Sequence, residues 1–178
     1  MVGVVSLPRP SDVEVFVRVL DLVAVGIGYS DFPAFIANPL LDVVGANSAT
    51  TRATLGQFNA WELDLRVFPW RGRFFAGISF GRQSLQGVLS ENTAFFPKSA
   101  SLDLTTWYMT PRAGWLWRFD PGLIVGLDVG IQVKLSSDEV VTLPPSATPE
   151  IRERVQNLAD LGASYPLPSL RLRIGWMP

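Results

Sequence analysis

The chain has 178 residues, a net charge of −1, only 17% charged residues and a mean hydropathy of +0.25. That length suits one domain, and the near-zero charge gives no electrostatic basis for binding nucleic acid. Cysteine and histidine are both absent, which excludes disulfides, thiolate metal sites, the usual zinc ligand and every Ser-His-Asp or Cys-His arrangement.

The first residues, MVGVVSLPRP, are too short and too lightly charged for a secretory signal. Either a signal has been removed or the true start lies upstream of Met1, and a missing N-terminal hairpin is one way to complete the strand count. Residues 1–21 form an N-terminal segment whose structure the pattern leaves open. Val13, Phe16, Val17 and Leu20 fit a helix, whereas Val13, Val15, Val17 and Val19 fit a strand. The apolar stretch from Val13 to Tyr29 contains Glu14, Arg18 and Asp21, which rules it out as a transmembrane helix.

From residue 22 onward the pattern is alternation. VAVGIGYS sets Val23, Val25, Ile27 and Tyr29 against Ala24, Gly26, Gly28 and Ser30. AWELDLRVF sets Trp61, Leu63, Leu65 and Val67 against Glu62, Asp64, Arg66 and Phe68. RFFAGISFG sets Phe74, Ala76, Ile78 and Phe80 against Phe75, Gly77, Ser79 and Gly81. WYMTPRAGWLWRF carries Trp107, Met109, Ala113, Trp115 and Trp117 on one side and Tyr108, Thr110, Arg112 and Gly114 on the other. GLIVGLDVGIQVKL alternates from Leu123 to Leu135 against Gly126, Asp128, Gly130, Gln132 and Lys134. LRLRIGW alternates Leu170, Leu172, Ile174 and Trp176 with Arg171, Arg173 and Gly175. A period of two is the period of a β-strand, so six strands are read directly. Eight are expected, because single-chain membrane barrels have an even number of at least eight. Residues 12–20 and part of DEVVTLP (138–144) are the candidates for the other two.

Connections alternate in length. PWRGR (69–73) and DPG (120–122) are tight turns, and stretches 31–52, 86–100 and 137–167 read as long loops. Thr148-Pro149-Glu150 with Gly162 predicts a helix over 149–161, with Ile151, Val155 and Leu158 on one face. Asn38-Pro39 before LLDVVG predicts a shorter one.

Two architectures fit such an antiparallel meander. A lipocalin-like soluble carrier points its apolar face inward, around a greasy cavity; a membrane barrel points it outward. The other face here is rich in glycine and carries Glu62, Asp64, Arg66, Arg112, Asp128, Lys134, Arg171 and Arg173, with bases outnumbering acids. Small residues and pairable charges suit a narrow, filled interior. Aromatic residues cluster at both ends. Trp107 and Trp117 lie ten residues apart on one face, about 33 Å along a strand and about 23 Å once tilted by 45°, near the ~25 Å apolar band between girdles.

On these strands, turns and aromatics, residues 22–178 resemble the small bacterial outer-membrane β-barrel proteins. The final Leu170, Leu172, Ile174 and Trp176 are similar to the C-terminal signal read by the barrel-assembly machinery, although Met177 and Pro178 follow the aromatic. The resemblance implies an all-β up-and-down transmembrane barrel in the outer membrane, with short periplasmic turns and long external loops. Known enzymes among small barrels commonly use a histidine, so no catalysis, cofactor or metal is expected. The expected role is structural or loop-mediated interaction, with outer-membrane lipid, lipopolysaccharide or a protein as partners. A small selective channel and a soluble carrier of an apolar ligand are the alternatives. Within the lumenal set, Asp128 is expected to face Gly114, because paired residues around the 120–122 turn sum to about 242, and to pair with Arg112 and with Arg171 or Arg173.

Overall fold

The computed structural model describes residues 2–7, 11–19, 21–31, 51–91, 98–142 and 167–176. They form eight strands: β1 (Val2–Leu7), β2 (Ser11–Val19), β3 (Val23–Asp31), β4 (Thr51–Val67), β5 (Phe74–Glu91), β6 (Lys98–Phe119), β7 (Leu123–Thr142) and β8 (Leu167–Trp176). Each strand pairs antiparallel with its sequence neighbours and β8 pairs with β1, which closes the barrel. Within the closed part each strand is paired on both sides, the condition for a sheet to survive in lipid.

The boundary expected at residue 22 is not there. β1 and β2 are staves of the barrel, and residues 11–19 form a strand rather than a helix. Four valines at alternate positions favour a pleated surface, and every residue of β2 finds a partner on β3, from Ser11↔Asp31 to Val19↔Val23. The expected eighth strand at 138–144 is instead the far end of β7. The helices expected near 39 and over 149–161 lie outside the described residues.

The three short turns among the described residues occupy one end. Between β2 and β3 Asp21 takes a positive φ of 56°, and Arg18 Nη2 donates to its carbonyl at 2.8 Å. In the 69–73 turn Arg71, not Gly72, carries the positive φ of 51°, while Gly122 closes the third turn at φ 116°. Because β1 starts opposite the end of β8 (Val2↔Ile174), both ends of the described chain also lie at this turn end.

β2 and β3 are nine residues long, about 30 Å of strand and about 21 Å of height at a 45° tilt. β4 to β7 run on for 17 to 22 residues, so they rise as a four-stranded extension beyond the loop-end rim. The stretch expected as a loop over 86–100 is mostly this extension, with only 92–97 outside the described residues. The character of the two faces exchanges at the row Tyr29↔Trp61↔Arg82↔Trp107. Below it the outside is apolar. Above it Gln57, Gln86 and Asp103 point outward and exposed, whereas Ala100, Leu102 and Leu104 are buried on the inner side.

Candidate functional site

The outer surface between the two aromatic belts is made of exposed valine, leucine and isoleucine. Val15 and Val17 are each 66% exposed, and Ile27 and Leu63 are 56% and 58% exposed. Trp61 packs on Tyr29 at the loop end, with ring centroids 4.8 Å apart. At the turn end Trp70 packs on Phe74 and Phe74 on Trp115, at 5.6 and 5.4 Å. Charge is inside. This is the arrangement of a transmembrane-type barrel and the reverse of a lipocalin-like carrier, whose apolar face would line the cavity.

The lumen is built row by row from register. Beside most of the charged side chains that enter, a glycine stands on the next strand. Glu62 faces Gly28 and Gly81, Asp64 faces Gly26, Arg66 and Arg112 both face Gly77, Arg112 also faces Gly130, and Asp128 faces Gly114. The glycines admit what the charged chains occupy. A Cβ on Gly77 would lie 2.6 Å from the Leu65 carbonyl and 3.3 Å from Arg66 Cγ.

Arg66 is the deepest charge. Its Nη2 bonds both oxygens of Glu14, at 2.5 and 2.6 Å, and Asp64 Oδ2 at 2.6 Å. Its guanidinium lies over the rings of Phe75 and Phe16, 4.9 and 5.4 Å from their centroids. Glu62 is the second hub. It takes two bonds from Arg171 (2.6 and 2.9 Å), one from Arg112 (3.0 Å) and one from the Tyr108 hydroxyl (2.9 Å). Arg112 also donates to Ser79 Oγ. Arg173 joins β8 to β2 through Asp12 Oδ2 at 2.6 Å and Glu14 Oε2 at 2.5 Å. Buried charges are tolerable only when paired and hydrogen-bonded in this way.

Seven of the eight residues picked from sequence lie in this buried network: Glu62, Asp64, Arg66, Arg112, Asp128, Arg171 and Arg173. Lys134 is the exception. It faces Tyr108 in register, but its ammonium is exposed at the open end and donates to Ser137 Oγ at 3.4 Å. Asp12 and Glu14 belong to the network and were hidden in the segment left open between helix and strand. The expected excess of bases is therefore reversed: among the described residues, five buried carboxylates (Asp12, Glu14, Glu62, Asp64 and Asp128) meet four buried guanidiniums.

Asp128 stands opposite Gly114, and on its other side opposite Arg171. Its charge contacts are Arg173 Nη1 at 3.6 Å and Arg112 Nη1 at 3.8 Å, beyond hydrogen-bond reach. Arg112 is drawn instead to Glu62 and Ser79.

Toward the turn end the lumen turns apolar. Ala24, Phe68 and Phe75 are buried together, with Phe16 and Leu116 packed on them and the two phenylalanine rings 5.8 Å apart. Arg18 lies 4.1 Å over the Phe68 ring. No charge pattern marks these residues. They occupy the polar face by parity, and their clustering depends on four strands meeting at one level.

No family model and no curated protein matches the chain. Among solved structures it is similar to the crystal structure of Acinetobacter baumannii CarO, at 10% identity and a TM-score of 0.47, covering 97% of this chain and 94% of that one.

Proposed function

We propose that the protein is an integral β-barrel of the bacterial outer membrane with a structural or interaction role exercised at its loop end. The lumen acts as its core rather than as a conduit. The observation that carries this reading is the double closure of the interior: a network of paired charges at mid-height and, beneath it, the Phe16–Phe68–Phe75–Leu116 plug. An eight-stranded barrel is only just wide enough for its side chains to fill, and here ionic and aromatic groups fill it in sequence. A selective channel would need a polar path past Phe68 and Phe75.

The four-stranded extension of β4 to β7 is the natural platform for contact with lipopolysaccharide or a partner protein. The outward Leu170, Leu172, Ile174 and Trp176 of β8 suit recognition by the barrel-assembly machinery, and the apolar band suits outer-membrane lipid. No catalytic role is proposed, since the buried acids are held by arginines and no histidine or cysteine is present.

The test is reconstitution. The protein should need detergent for extraction and should give no steady conductance in planar bilayers. Monomeric solubility without detergent, or a porin-sized conductance, would refute the reading.

A further inference from the structure

Arg82 is a cation on the outer wall of the barrel. On β5 it lies between Gly81 and Gln83, both buried on the inner side, and its own side chain is exposed. Register seats it between Trp61 on β4 and Trp107 on β6, each about half exposed. Among the described residues no carboxylate pairs with Arg82 and no group bonds its guanidinium.

The rows above and below Arg82 differ in chemistry. Directly below lie Leu63, Phe80 and Met109, all apolar. Directly above lie Asn59, Ser84 and Thr105, which are uncharged, partly exposed and able to donate hydrogen bonds. The nearest outward carboxylates among the described residues, Asp31 and Asp138, continue that upper row two strands away on either side. Strand spacing and rise put them about 12 Å from Arg82, too far to pair with it. Arg82 also stands eight residues beyond Phe74 of the turn-end belt on the same strand, about 26 Å along it and roughly 19 Å in height at a 45° tilt. A charge there is at the edge of the apolar band, and its long stem lets it reach past that edge.

We propose that this row is a headgroup site for a phosphorylated glycolipid of the outer leaflet. The acyl chains lie on Leu63, Phe80 and Met109, Arg82 takes the phosphate, and the sugar hydroxyls meet Asn59, Ser84 and Thr105. Arginine suits the role because its planar fork of N–H donors matches phosphate oxygens in pairs. Trp61 and Trp107 flank it, and their amphipathic rings favour the same level. The site rests on the outer-membrane reading above, and it gives the lipopolysaccharide contact a residue and a chemistry.

The test uses the full chain folded in a non-ionic detergent, with lipid retention measured by native mass spectrometry. The probes are diphosphorylated lipid A, the same lipid A stripped of its phosphates, and phosphatidylglycerol. Wild type should hold diphosphorylated lipid A more tightly than either of the others. Arg82→Gln should lower that affinity about tenfold, the scale of one charge-assisted hydrogen bond, and Arg82→Lys should restore part of it. Inorganic phosphate should not compete, because it lacks acyl chains. Arg118→Gln, which removes an exposed arginine at the turn end, should change nothing. Urea unfolding checks that each variant is folded. Equal affinity for the two forms of lipid A, or an unchanged affinity in Arg82→Gln, would overturn the headgroup site and leave the membrane placement of the barrel intact. Equal, Arg82-dependent retention of phosphatidylglycerol would overturn the glycolipid assignment. A chain that is monomeric and soluble without detergent would overturn the outer-membrane reading itself.

Discussion

Gly81 stands directly opposite Tyr108 across the β5–β6 pair, and the tyrosine ring fills the space that a side chain on Gly81 would need. The hydroxyl at the far end of that ring donates to Glu62, which is Gly81's partner on the other side. One missing side chain thus permits an aromatic ring to cross the lumen and reach a carboxylate on β4. Gly81→Val should destabilise the barrel by about 1–3 kcal/mol, the usual cost of overpacking, measured by urea unfolding in detergent. Part of that cost should vanish in a Tyr108→Ala background, giving a coupling energy on the order of 1 kcal/mol. Strict additivity would show that the two residues do not share the space.

Glu62 and Asp128 are both buried acids, yet their surroundings rank them. Glu62 accepts four hydrogen bonds, three of them from two arginines. Asp128 has guanidinium nitrogens only at 3.6 and 3.8 Å. Glu62→Gln should therefore cost about 3–5 kcal/mol, the penalty for breaking a buried pair, and Asp128→Asn clearly less. Equal losses, or the reverse order, would contradict the assignment of Glu62 as hub.

Phe68→Ala and Phe75→Ala probe the turn-end plug. Each should lower stability by about 3–5 kcal/mol through lost burial and a residual cavity. The double variant should nevertheless stay silent in bilayers, because the ionic layer above the plug still closes the lumen; conductance in the double variant would show that the ionic layer does not close it.

Charge placed on the outer band should be as costly as charge removed from the lumen. Leu63→Arg puts a cation on the exposed apolar face of β4 and should cost about 2–4 kcal/mol in lipid if the site is near mid-membrane. Lys134→Ala, on an exposed side chain at the open end, should change stability by no more than about 0.5 kcal/mol. Folding yields into vesicles at graded urea would separate the two.

The alternation that defines the strands was legible because side-chain direction has a period of two, so a single outward-facing residue such as Ile27 fixes the direction of its neighbours. The 242 rule placed Asp128 against Gly114 for the same reason: a tight turn at 120–122 determines register along the whole hairpin. Asp12 and Glu14 were missed because SDVEVFVRV satisfies a helical period nearly as well as a strand period, and only β3 decides between them. The Phe68–Phe75 plug was invisible because parity says which way a residue points but not at what height it meets another. Lys134 shows the same limit: its direction was right, and its height puts the ammonium beyond the buried layer.

The most direct test of the account is to ask what each face touches. The chain has no cysteine, so each introduced cysteine is unique and can carry a spin label in vesicle-embedded protein. Labels at Ile27, Leu63 and Val129 should collide with lipid-soluble oxygen and be shielded from a water-soluble nickel complex. A label at Ala24, buried in the turn-end plug, should be shielded from both. If the nickel complex reaches Ile27, Leu63 and Val129 while oxygen does not, the apolar face does not meet lipid and the barrel has been placed inside out.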